Sequence, residues 1–391
     1  MYDAIVVGAG PAGSHVAGRL AGSGHQVLVL EQHETIGKAT CCAGILGKEC
    51  LEFFPAGKPA VLREAGSARF FAPSGDCVTL KKDTPQAYIV DRISFDVAMA
   101  RSAEAHGVEY LLGTRVANIS IANEHVQVEA EQGRQSLQLK ARTVVIASGF
   151  GSKLPERLGL GKAPDFVMGA QAEVEAGGID QVEVYFGSDI APGFFAWLVP
   201  TSGGRALAGL LARRHTGRYL RSFLERLSSQ GKVASGNVEI RYGGIPLRPL
   251  PRTSTERVVV VGDAAGQVKP TTAGGVYYGL ICADIAAGTL EGALDTNDLS
   301  AGTLAGYDRE WHRALSRELR LGRWARWLHE KLNDRQVERL LHIIGSERVS
   351  RPLLDSPDFS FDRHGQLMLR ALRQMGPVGI ISLLWLLVIR R

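Results

Sequence analysis

A glycine-rich turn near the start of the chain constrains the fold more than any other feature. Gly8, Gly10 and Gly13 follow an apolar run at residues 4–7, which is too short for a helix and predicts a buried strand of a parallel sheet. In this spacing Gly8 makes the tight turn, Gly10 lets backbone approach a pyrophosphate, and Gly13 lets the next helix pack close to the strand. That helix, predicted over residues 11–23, would direct its free N–H groups at the phosphates.

A second predicted strand, at residues 27–30, ends at Glu31. An acid at this distance from the glycines is placed to bind a ribose hydroxyl. Strand, turn, helix and acid together predict a dinucleotide-binding βαβ unit rather than a glycine-rich turn in another setting. NAD and FAD share the same ADP half, so this stretch alone leaves both cofactors open.

Composition limits the classes of protein that the chain can belong to. Its 391 residues, 45% hydrophobic and 22% charged, suit two or three packed domains. The five cysteines form no C-x-x-C pair, which predicts a reducing cytosol and no structural metal, and no signal peptide is visible. Residues 301–391 hold 16 Lys and Arg against 10 Asp and Glu, without a nucleic-acid-binding motif, so we expect no nucleic-acid partner.

Three later segments predict further nucleotide contacts. Residues 88–100 predict a strand followed by a helix with Ser94 as its cap, and Arg92 falls at the junction, within reach of cofactor phosphates. Val116, in a short predicted strand, could flank an adenine ring. Residues 141–152 predict a buried strand that runs into a glycine-rich turn, as expected at the end of a nucleotide-binding sheet.

Residues 258–287 decide between the two cofactors. A buried strand ends at Asp263, whose carboxylate could hydrogen-bond a ribityl hydroxyl, and Gly275 opens a helix predicted from Val276 to about Leu290. The N–H groups of that helix would face the pyrimidine edge of a flavin, where negative charge collects on reduction. An NAD site has no use for this second element, so the sequence favours tightly bound FAD.

The pattern of residues 165–212 changes to alternation and predicts an antiparallel sheet. Ala170 and Ala172 face the dry side, whereas Gln171 and the glutamates that follow it face the wet side. A helix is predicted at residues 218–231. We interpret this segment as a second domain that lays an apolar sheet over the flavin.

The predicted fold is therefore α/β, with a Rossmann-like FAD-binding domain, an antiparallel substrate domain and a helical C-terminal region. The FAD-binding domain would be discontinuous and comprise residues 1–165 and 245–295, with 65–92 assignable to the substrate sheet instead. The substrate domain would span residues 166–244. Residues 296–391 would form a basic helical region with an apolar tail.

The sequence resembles the FAD-dependent geranylgeranyl reductase family, within the p-hydroxybenzoate hydroxylase-like flavoproteins, over residues 1 to about 330. Four segments carry the resemblance: the opening glycine motif, CCAGIL at 41–46, FFAWLVP at 194–200 and GDAAGQVKPTTAGGVYYG at 262–279. Beside the three glycines, the resemblance implies FAD contacts at Ala12, Glu31, Cys41, Cys42, Gly44, Arg92, Val116, Asp263, Gly275 and Val276.

The resemblance also implies a prenyl-binding wall. The family pattern is similar to Y-x-W-x-F-P, and here Trp197 and Pro200 match, while Phe195 lacks the tyrosine hydroxyl and Val199 is smaller than phenylalanine. We assign Tyr277 to the same wall, beside the flavin-facing helix.

The implied reaction is hydride transfer from N5 of reduced flavin to one alkene carbon and protonation of the other. An isolated alkene has no carbonyl to stabilise a carbanion, so the site should be dry and carry a positioned acid. Candidates are Cys42, Lys269, Tyr277 and Tyr278, of which we predict Cys42 and Tyr278 to be catalytic. The chain has no second nucleotide motif, so NADPH or ferredoxin would act as a transient electron donor.

Two other functions remain open from the sequence alone. One is a flavin-dependent monooxygenase or halogenase of an aromatic ring, against which the Trp197 motif and Cys42 argue. The other is a membrane-associated flavoprotein that passes electrons between carriers.

The C-terminal region predicts association with a membrane surface. Residues 378–389 are almost wholly apolar, but a helix of that length spans only about 18 Å, short of a hydrocarbon core. Residues 317–332 interleave arginines with Trp324 and Trp327, a composition suited to anionic lipid. We therefore expect a cytoplasmic protein peripheral to the inner face of the membrane, with a prenyl lipid as substrate.

Overall fold

The computed structural model of the chain describes residues 1–38, 41–356, 359–363 and 365. The strands of these residues are β1 (Tyr2–Val7), β2 (Val27–Leu30), β3 (Ile45–Gly47), β4 (Val61–Ala65), β5 (Ser67–Phe71), β6 (Cys77–Lys81), β7 (Ala87–Val90), β8 (Glu109–Leu111), β9 (Thr114–Ile121), β10 (Val126–Gln132), β11 (Gln135–Ile146), β12 (Phe166–Glu175), β13 (Val182–Tyr185), β14 (Ala196–Pro200), β15 (Arg205–Ala212), β16 (Arg241–Pro246), β17 (Ser254–Thr255) and β18 (Val258–Val260). The α-helices are α1 (Pro11–Gly22), α2 (Lys48–Phe53), α3 (Arg92–Glu104), α4 (Leu154–Arg157), α5 (Thr216–Ser229), α6 (Val276–Asp295), α7 (Ala301–Lys331), α8 (Asp334–Gly345) and α9 (Glu347–Leu354).

The first sheet is the Rossmann-like part of the molecule. Its strand order is β17-β18-β11-β1-β2-β8, and β9 and β10 extend it from β11. The pairs β18–β11, β11–β1, β1–β2 and β2–β8 are parallel, whereas β9, β10 and β17 pair antiparallel. The central strands are buried on both faces, which explains their continuous apolar sequences.

Different layers cover the two faces of the first sheet. Ala4 and Val6 belong to the core that packs under α1, α3, α6 and α7. Ile5 and Val7 point to the opposite core, which contains side chains of β9, β10 and β11. Because alternate residues of a strand face opposite sides, one short apolar run serves both cores.

The second sheet has the strand order β16-β12-β15-β14-β13-β5-β6, and α5 packs against it. All its pairs are antiparallel except β13–β5, which is parallel. The strands β5 and β6, from the segment that the sequence left assignable to either domain, lie in this sheet. The edge strand β16 reaches Pro246, two residues past the predicted limit at 244. A small sheet of order β3-β7-β4 lies beside these two.

The predicted α/β fold with a parallel-containing sheet, a largely antiparallel sheet and C-terminal helices is confirmed, while several details differ. The helix cap at the start of α3 is Asp91 and not Ser94, because the Asp91 carboxylate accepts the N–H groups of Ile93 and Ser94. Helix α6 continues to Asp295 rather than stopping near Leu290.

The predicted solvent orientation of Gln171 is wrong. Its side chain is 5% exposed, whereas Glu173 and Glu175 on the same strand are exposed as expected. The strand does alternate, since Ala170, Ala172 and Val174 are buried. Gln171 departs from the polar pattern because its amide has two buried hydrogen-bond partners, described below.

The C-terminal region is helical as far as the structure describes it, through α7, α8 and α9. No helix in the described part of the chain combines the length and apolarity needed to cross a bilayer. The apolar segment predicted at 378–389 lies outside the described residues.

Candidate active site

The carboxyl ends of three parallel strands meet at one edge of the first sheet. Val7 of β1 pairs with Ile146 of β11, which pairs in turn with Val260 of β18. Ligands of open α/β sheets bind at this edge, beyond the strand ends. The glycine turn after β1, the glycine-rich turn after β11 and the Gly262–Ala265 turn after β18 therefore lie side by side.

A cavity of about 750 Å³ opens at this edge. Its lining includes the glycine turn, Glu31, Val116 and the 147–154 turn. Val116 is 9% exposed and belongs to the core of β9 to β11, so an apolar wall faces part of the cavity. The predicted adenosine-side residues Gly8, Gly10, Glu31 and Val116 are thus brought together.

The surroundings of the three glycines in the opening turn show which of them the protein's own packing requires. Gly8 has φ +106°, and a Cβ there would lie 2.5 Å from the Ala147 carbonyl oxygen. A Cβ on Gly13 would lie 2.1 Å from the Gly8 carbonyl oxygen, so the helix could not approach the turn. A Cβ on Gly10 would meet no atom within 4 Å, and Gly10 lines the cavity. No contact within the described part of the protein requires a glycine at position 10, which fits the predicted close approach of a pyrophosphate.

The two distant sequence motifs meet in space. A Cβ on Gly262 would lie 3.3 Å from the Ala12 Cβ at the start of α1, and a Cβ on Gly279 of α6 would lie 3.3 Å from the Gly262 Cα. The first turns of α1 and α6 therefore flank the same turn after β18. The opening motif and the 262–276 motif are therefore neighbours in space, and their joint role in binding one flavin stays a prediction.

Both helices begin without a side-chain cap. Gly10 and Gly275 are the N-cap residues of α1 and α6, and neither helix has an acidic residue in its first turn. The N-terminal N–H groups of a helix carry a partial positive charge and need an acceptor. A bound group with a diphosphate near α1 and an electron-rich ring edge near α6 supplies one at both places.

Unpaired polar atoms point to the same conclusion. The Ser148 Oγ, in the cavity lining, and the Arg92 Nε are buried without a hydrogen-bond partner among the described residues. The Asp263 carboxylate also has no hydrogen bond recorded among the described residues. It lies against the start of α6, since a Cβ built on Gly275 would be 2.3 Å from its Oδ1. Burial raises the pKa of this carboxyl group. Buried polar groups of this kind need partners, and the hydroxyls and phosphates of FAD fit them.

Glu31 shows how the protein orders a carboxylate for ribose. Its Oε2 accepts the Ala9 N–H at 2.9 Å, and its Oε1 accepts the His33 N–H at 3.0 Å and lies 2.6 Å from His33 Nδ1. These contacts fix the carboxylate in the cavity lining, and Oε2, which has one partner among the described residues, retains a lone pair for a hydroxyl donor.

Arg92 lies on the flavin side of the site rather than in the cavity lining. Its guanidinium donates to Asp96 Oδ1 at 2.8 Å, and it interacts electrostatically with the Cys42 thiol. Burial alone would lower the pKa of Arg92, but the Asp96 carboxylate and the Cys42 thiol raise it above its usual value. Asp96 does line the cavity, so Arg92 connects the cavity to Cys42.

The segment 41–44 carries the two predicted flavin-side thiols. The Gly44 N–H donates to Cys42 Sγ at 3.5 Å, and the Cys41 thiol donates to the Arg241 carbonyl on β16 at 3.7 Å. Gly44 has φ +71°, and a Cβ there would lie 2.5 Å from the Val90 carbonyl oxygen. Only glycine fits this turn, which holds the segment between the small sheet and the second sheet.

The predicted prenyl wall lies on β14 and the residues just before it. Trp197, Val199 and Pro200 are buried, and Phe195 is half-buried with its ring centre 6.1 Å from that of Trp197. The Trp197 indole N–H donates to Gln171 Oε1 at 3.2 Å, and Gln171 Nε2 donates to the Cys42 carbonyl at 3.1 Å. The wall is thus joined to the flavin-side segment through one glutamine, which the sequence had assigned to solvent.

Comparison with known proteins shows which family this sequence is similar to. Residues 2–176 match the family model described as pyridine nucleotide-disulphide oxidoreductase. The chain is 30% identical, over 98% of its length and 97% of the relative, to digeranylgeranylglycerophospholipid reductase of Methanothrix thermoacetophila. It is 31% identical, over 88% of its length and 91% of the relative, to the enzyme of that name in Methanocaldococcus jannaschii. The chain belongs to the geranylgeranyl reductase family.

Solved structures with this fold include other flavoproteins. A geranylgeranyl bacteriochlorophyll reductase-like protein from Thermoplasma acidophilum superposes with a TM-score of 0.86, 23% identity and coverage of 98% of this chain and 99% of that one. The p-nitrophenol 4-monooxygenase of Pseudomonas putida superposes with a TM-score of 0.72, 16% identity and coverage of 90% and 96%. At these identities both likenesses concern the fold alone. As a geranylgeranyl reductase family member the chain is an FAD-dependent oxidoreductase.

In this family member the two tyrosines after Gly275 are buried core residues. Tyr277 and Tyr278 are 3% and 2% exposed and belong to the core formed by α1, α6 and α7. Burial raises the pKa of both phenols, and the positive charge of Arg363 offsets part of that rise. No recorded contact among the described residues joins either tyrosine to Cys42 or Trp197, so their substrate and catalytic roles stay predictions.

A buried ion pair beside the flavin loop was missed by the sequence. Lys269 Nζ lies 2.6 Å from Asp362 Oδ1, and the two residues are 5% and 2% exposed. Lys269 lies against Gly274, where a Cβ would be 2.8 Å from its Cε. The segment around Asp362 is thereby attached to the loop that precedes α6. No local sequence pattern could have predicted this pair, because the two residues are 93 positions apart.

The thiols should differ widely in reactivity. Burial raises the pKa of Cys41 to about 11 and that of Cys50 to about 12, whereas Cys77 is exposed. We expect iodoacetamide at pH 7.5 to modify Cys77 first. The rate at Cys41 should rise about tenfold per pH unit up to its pKa, because the thiolate is the reactive form. Peptide mapping measures both rates, and equal rates at Cys41 and Cys77 would contradict the burial of Cys41.

Proposed function

We propose that this protein uses FAD to reduce carbon–carbon double bonds in the geranylgeranyl chains of a digeranylgeranylglycerophospholipid. The observation that carries the proposal is the 30% identity that extends over 98% of the chain. That similarity includes the second sheet and the C-terminal helices as well as the flavin-binding part, so it covers the elements that would contact substrate.

The proposed cofactor contacts follow from the geometry of the site. The N-termini of α1 and α6 would bind the pyrophosphate and the flavin ring edge, Glu31 the adenosine ribose, and Asp263 the ribityl chain. When bound and reduced, FAD supplies the hydride that saturation of an alkene requires.

The protein's own residues would provide a dry and oriented site. Trp197 and Phe195 offer an apolar wall to the prenyl chain, and the buried β14 behind them excludes water. We assign a catalytic role to Cys42, which is supported by the electrostatic interaction of its thiol with Arg92 and by the hydrogen bond from Gln171 to its carbonyl. Holding Cys42 between these partners would keep its thiol fixed near the reacting carbon.

Lipid mass spectrometry of a single reaction tests the proposal. Dithionite-reduced protein mixed anaerobically with digeranylgeranylglycerophospholipid should give products heavier by two hydrogens per reduced bond, and the flavin should become oxidised. Oxidised protein with the same lipid is the control and should leave its mass unchanged. A hydroxylated or halogenated aromatic product with oxygen consumption, and no prenyl reduction, would instead identify a monooxygenase or halogenase.

We propose that the electron donor is a transient one, NADPH or a ferredoxin. Anaerobic mixing of the oxidised flavoprotein with each donor separates them, since the true donor bleaches the flavin absorbance within the turnover time. A donor is excluded if the rate at which it bleaches the flavin is lower than the rate at which the lipid is reduced.

We further propose that α7 binds the surface of a membrane, which would deliver the lipid substrate. Trp324 and Trp327 are 44% and 53% exposed, and Arg317 and Arg320 on the same helix are also exposed. Arg326 is not part of this surface, because it is 7% exposed and lies over the Phe194 ring. Exposed tryptophans beside arginines suit the interface of an anionic bilayer.

Replacing both exposed tryptophans tests this surface. Trp324→Ala combined with Trp327→Ala should weaken binding to phosphatidylglycerol vesicles about tenfold, because two interfacial aromatic anchors are lost. Phe53→Ala, which removes a 66% exposed aromatic side chain from α2, is the matched control and should bind as the parent does. Co-sedimentation measures both, and equal binding by all three proteins would refute the assignment of α7.

A further inference from the structure

The buried side chain of Gln171 hydrogen-bonds both halves of the proposed site. Its Nε2 donates to the Cys42 carbonyl at 3.1 Å, and its Oε1 accepts from the Trp197 indole at 3.2 Å. The orientation of the amide is fixed by its partners, because an indole N–H can only donate and a carbonyl oxygen can only accept. A flipped amide would satisfy neither partner.

The contact depends on a row of residues across three strands. Gln171 on β12 pairs with Gly209 on β15, and Gly209 pairs with Trp197 on β14. A Cβ on Gly209 would lie 2.4 Å from the indole Cζ2 and 2.8 Å from its Nε1. The indole therefore crosses over a strand that has no side chain at this position, and so reaches Gln171 two strands away.

On its other side, Gln171 holds a segment that has few other hydrogen bonds to the second sheet, although Ala43 packs against the core of that sheet. The recorded bonds of residues 41–44 to that sheet are the one from Gln171 and the longer thiol contact from Cys41 to the Arg241 carbonyl. The Cys41 side chain also lies close to β16, because a Cβ built on Gly243 of that strand would be 3.1 Å from the Cys41 Cβ. Gln171 is thus the tie that reaches the backbone of Cys42 itself.

We infer that Gln171 is a positioning residue that fixes the distance between the prenyl wall at Trp197 and the flavin-side backbone at Cys42. It makes no recorded contact with the cavity lining and acts through its two partners. The inference rests on the proposed function for the roles of Trp197 and Cys42, but the coupling itself is a property of this chain.

Gln171→Met, which keeps the length of the side chain and removes both hydrogen bonds, is the first test. In single-turnover reduction of digeranylgeranylglycerophospholipid by the reduced holoenzyme, we expect the rate at saturating lipid to fall about tenfold, because the reacting groups lose their alignment. FAD content and the lipid concentration for half-maximal rate should change less than about twofold, since the wall remains apolar. A purely structural role would instead lower FAD content or leave the rate unchanged.

Reactivity of Cys42 provides a second readout that needs no turnover. Alkylation of Cys42 by N-ethylmaleimide, followed by peptide mapping of the holoenzyme, should be at least about fivefold faster in Gln171→Met, because its segment is no longer tied to the sheet. Gln86→Met is the matched control. Gln86 is a buried glutamine, 8% exposed, whose amide bonds only to Thr84 nearby. It should leave both the turnover rate and the alkylation of Cys42 unchanged.

A double-mutant cycle decides whether Gln171 acts through Trp197. Trp197→Phe removes the indole donor and keeps an aromatic ring, and its effect should not add to that of Gln171→Met. Fully additive effects on Cys42 alkylation, or wild-type alkylation in Gln171→Met, would overturn the inference. If the wild-type protein reduces no prenyl lipid, the proposed function fails, and the alkylation cycle still decides the role of Gln171. If Gln171→Met does not fold, Trp197→Phe alone should reproduce the faster alkylation, and wild-type alkylation there would overturn the inference.

Discussion

Gly10→Val should yield a folded protein that no longer binds FAD. Gly10 has an extended backbone, φ −70° and ψ 175°, that valine adopts without strain, and a Cβ at this position meets no protein atom within 4 Å. The added side chain would enter the cavity where backbone approaches the pyrophosphate. Forcing it against a ligand costs about 1–3 kcal/mol for the first clash alone, so FAD affinity should fall about 10- to 100-fold or more. Flavin absorbance per protein after titration with FAD measures this effect.

Gly288→Ala is the control for this substitution. Gly288 lies within α6, and a Cβ there also meets nothing within 4 Å, but it is not in the cavity lining. This variant should keep its FAD and gain about 0.5–1 kcal/mol of stability from the lower flexibility of the unfolded chain. Stoichiometric FAD in Gly10→Val would mean that the cavity at the opening turn does not hold the pyrophosphate.

Lys269→Met should be among the most destabilising single substitutions in the chain. It would leave the Asp362 carboxylate, 2% exposed, without the ammonium that lies 2.6 Å from its Oδ1. The other oxygen, Oδ2, already lacks a hydrogen bond among the described residues. A buried charge that loses its partner costs about 3–5 kcal/mol, and we expect a loss of that size in urea unfolding monitored by circular dichroism.

Two further variants test the cause of this loss. Adding Asp362→Leu to Lys269→Met removes the second charge and should restore most of the stability, because two apolar groups can replace a buried pair. Lys58→Met, at an exposed lysine, should change the unfolding free energy by less than about 0.5 kcal/mol. A double variant as unstable as Lys269→Met would show that packing, and not the unpaired charge, causes the loss.

The sequence predicted the features that local geometry determines. Gly8 and Gly13 are required by steric contacts within a few residues of a strand end, and the parallel strands β1, β2 and β18 have apolar runs of unambiguous length. The meeting of Ala12 with Gly262 was also predictable, because both follow buried strands and the carboxyl ends of parallel strands share one edge. The choice of flavin came from the second element at residues 258–287, for which an NAD site has no use, and the resemblance in the 262–279 segment agreed with it.

The features that the sequence did not predict depend on partners far along the chain. Gln171 matches a polar alternation, and only its contacts with Cys42, 129 positions away, and with Trp197 explain why it is buried. The pair Lys269–Asp362 joins residues 93 positions apart in segments with no common pattern. Ser94 was predicted as the cap of α3 because serine is a common capping residue, and only the backbone geometry shows that Asp91 holds this position.

The interleaving of β18 and α6 with the first sheet has a consequence for biosynthesis. Strand β11 presents an open edge at residues 144–146 until Val258–Val260 has been translated, and the strands β12 to β16 of the second sheet are made in that interval. An open strand edge invites pairing with other chains. The FAD site is complete only when nearly the whole polypeptide has been made. A shortage of FAD at the end of translation should therefore favour aggregation of the new chain over a stable protein without FAD.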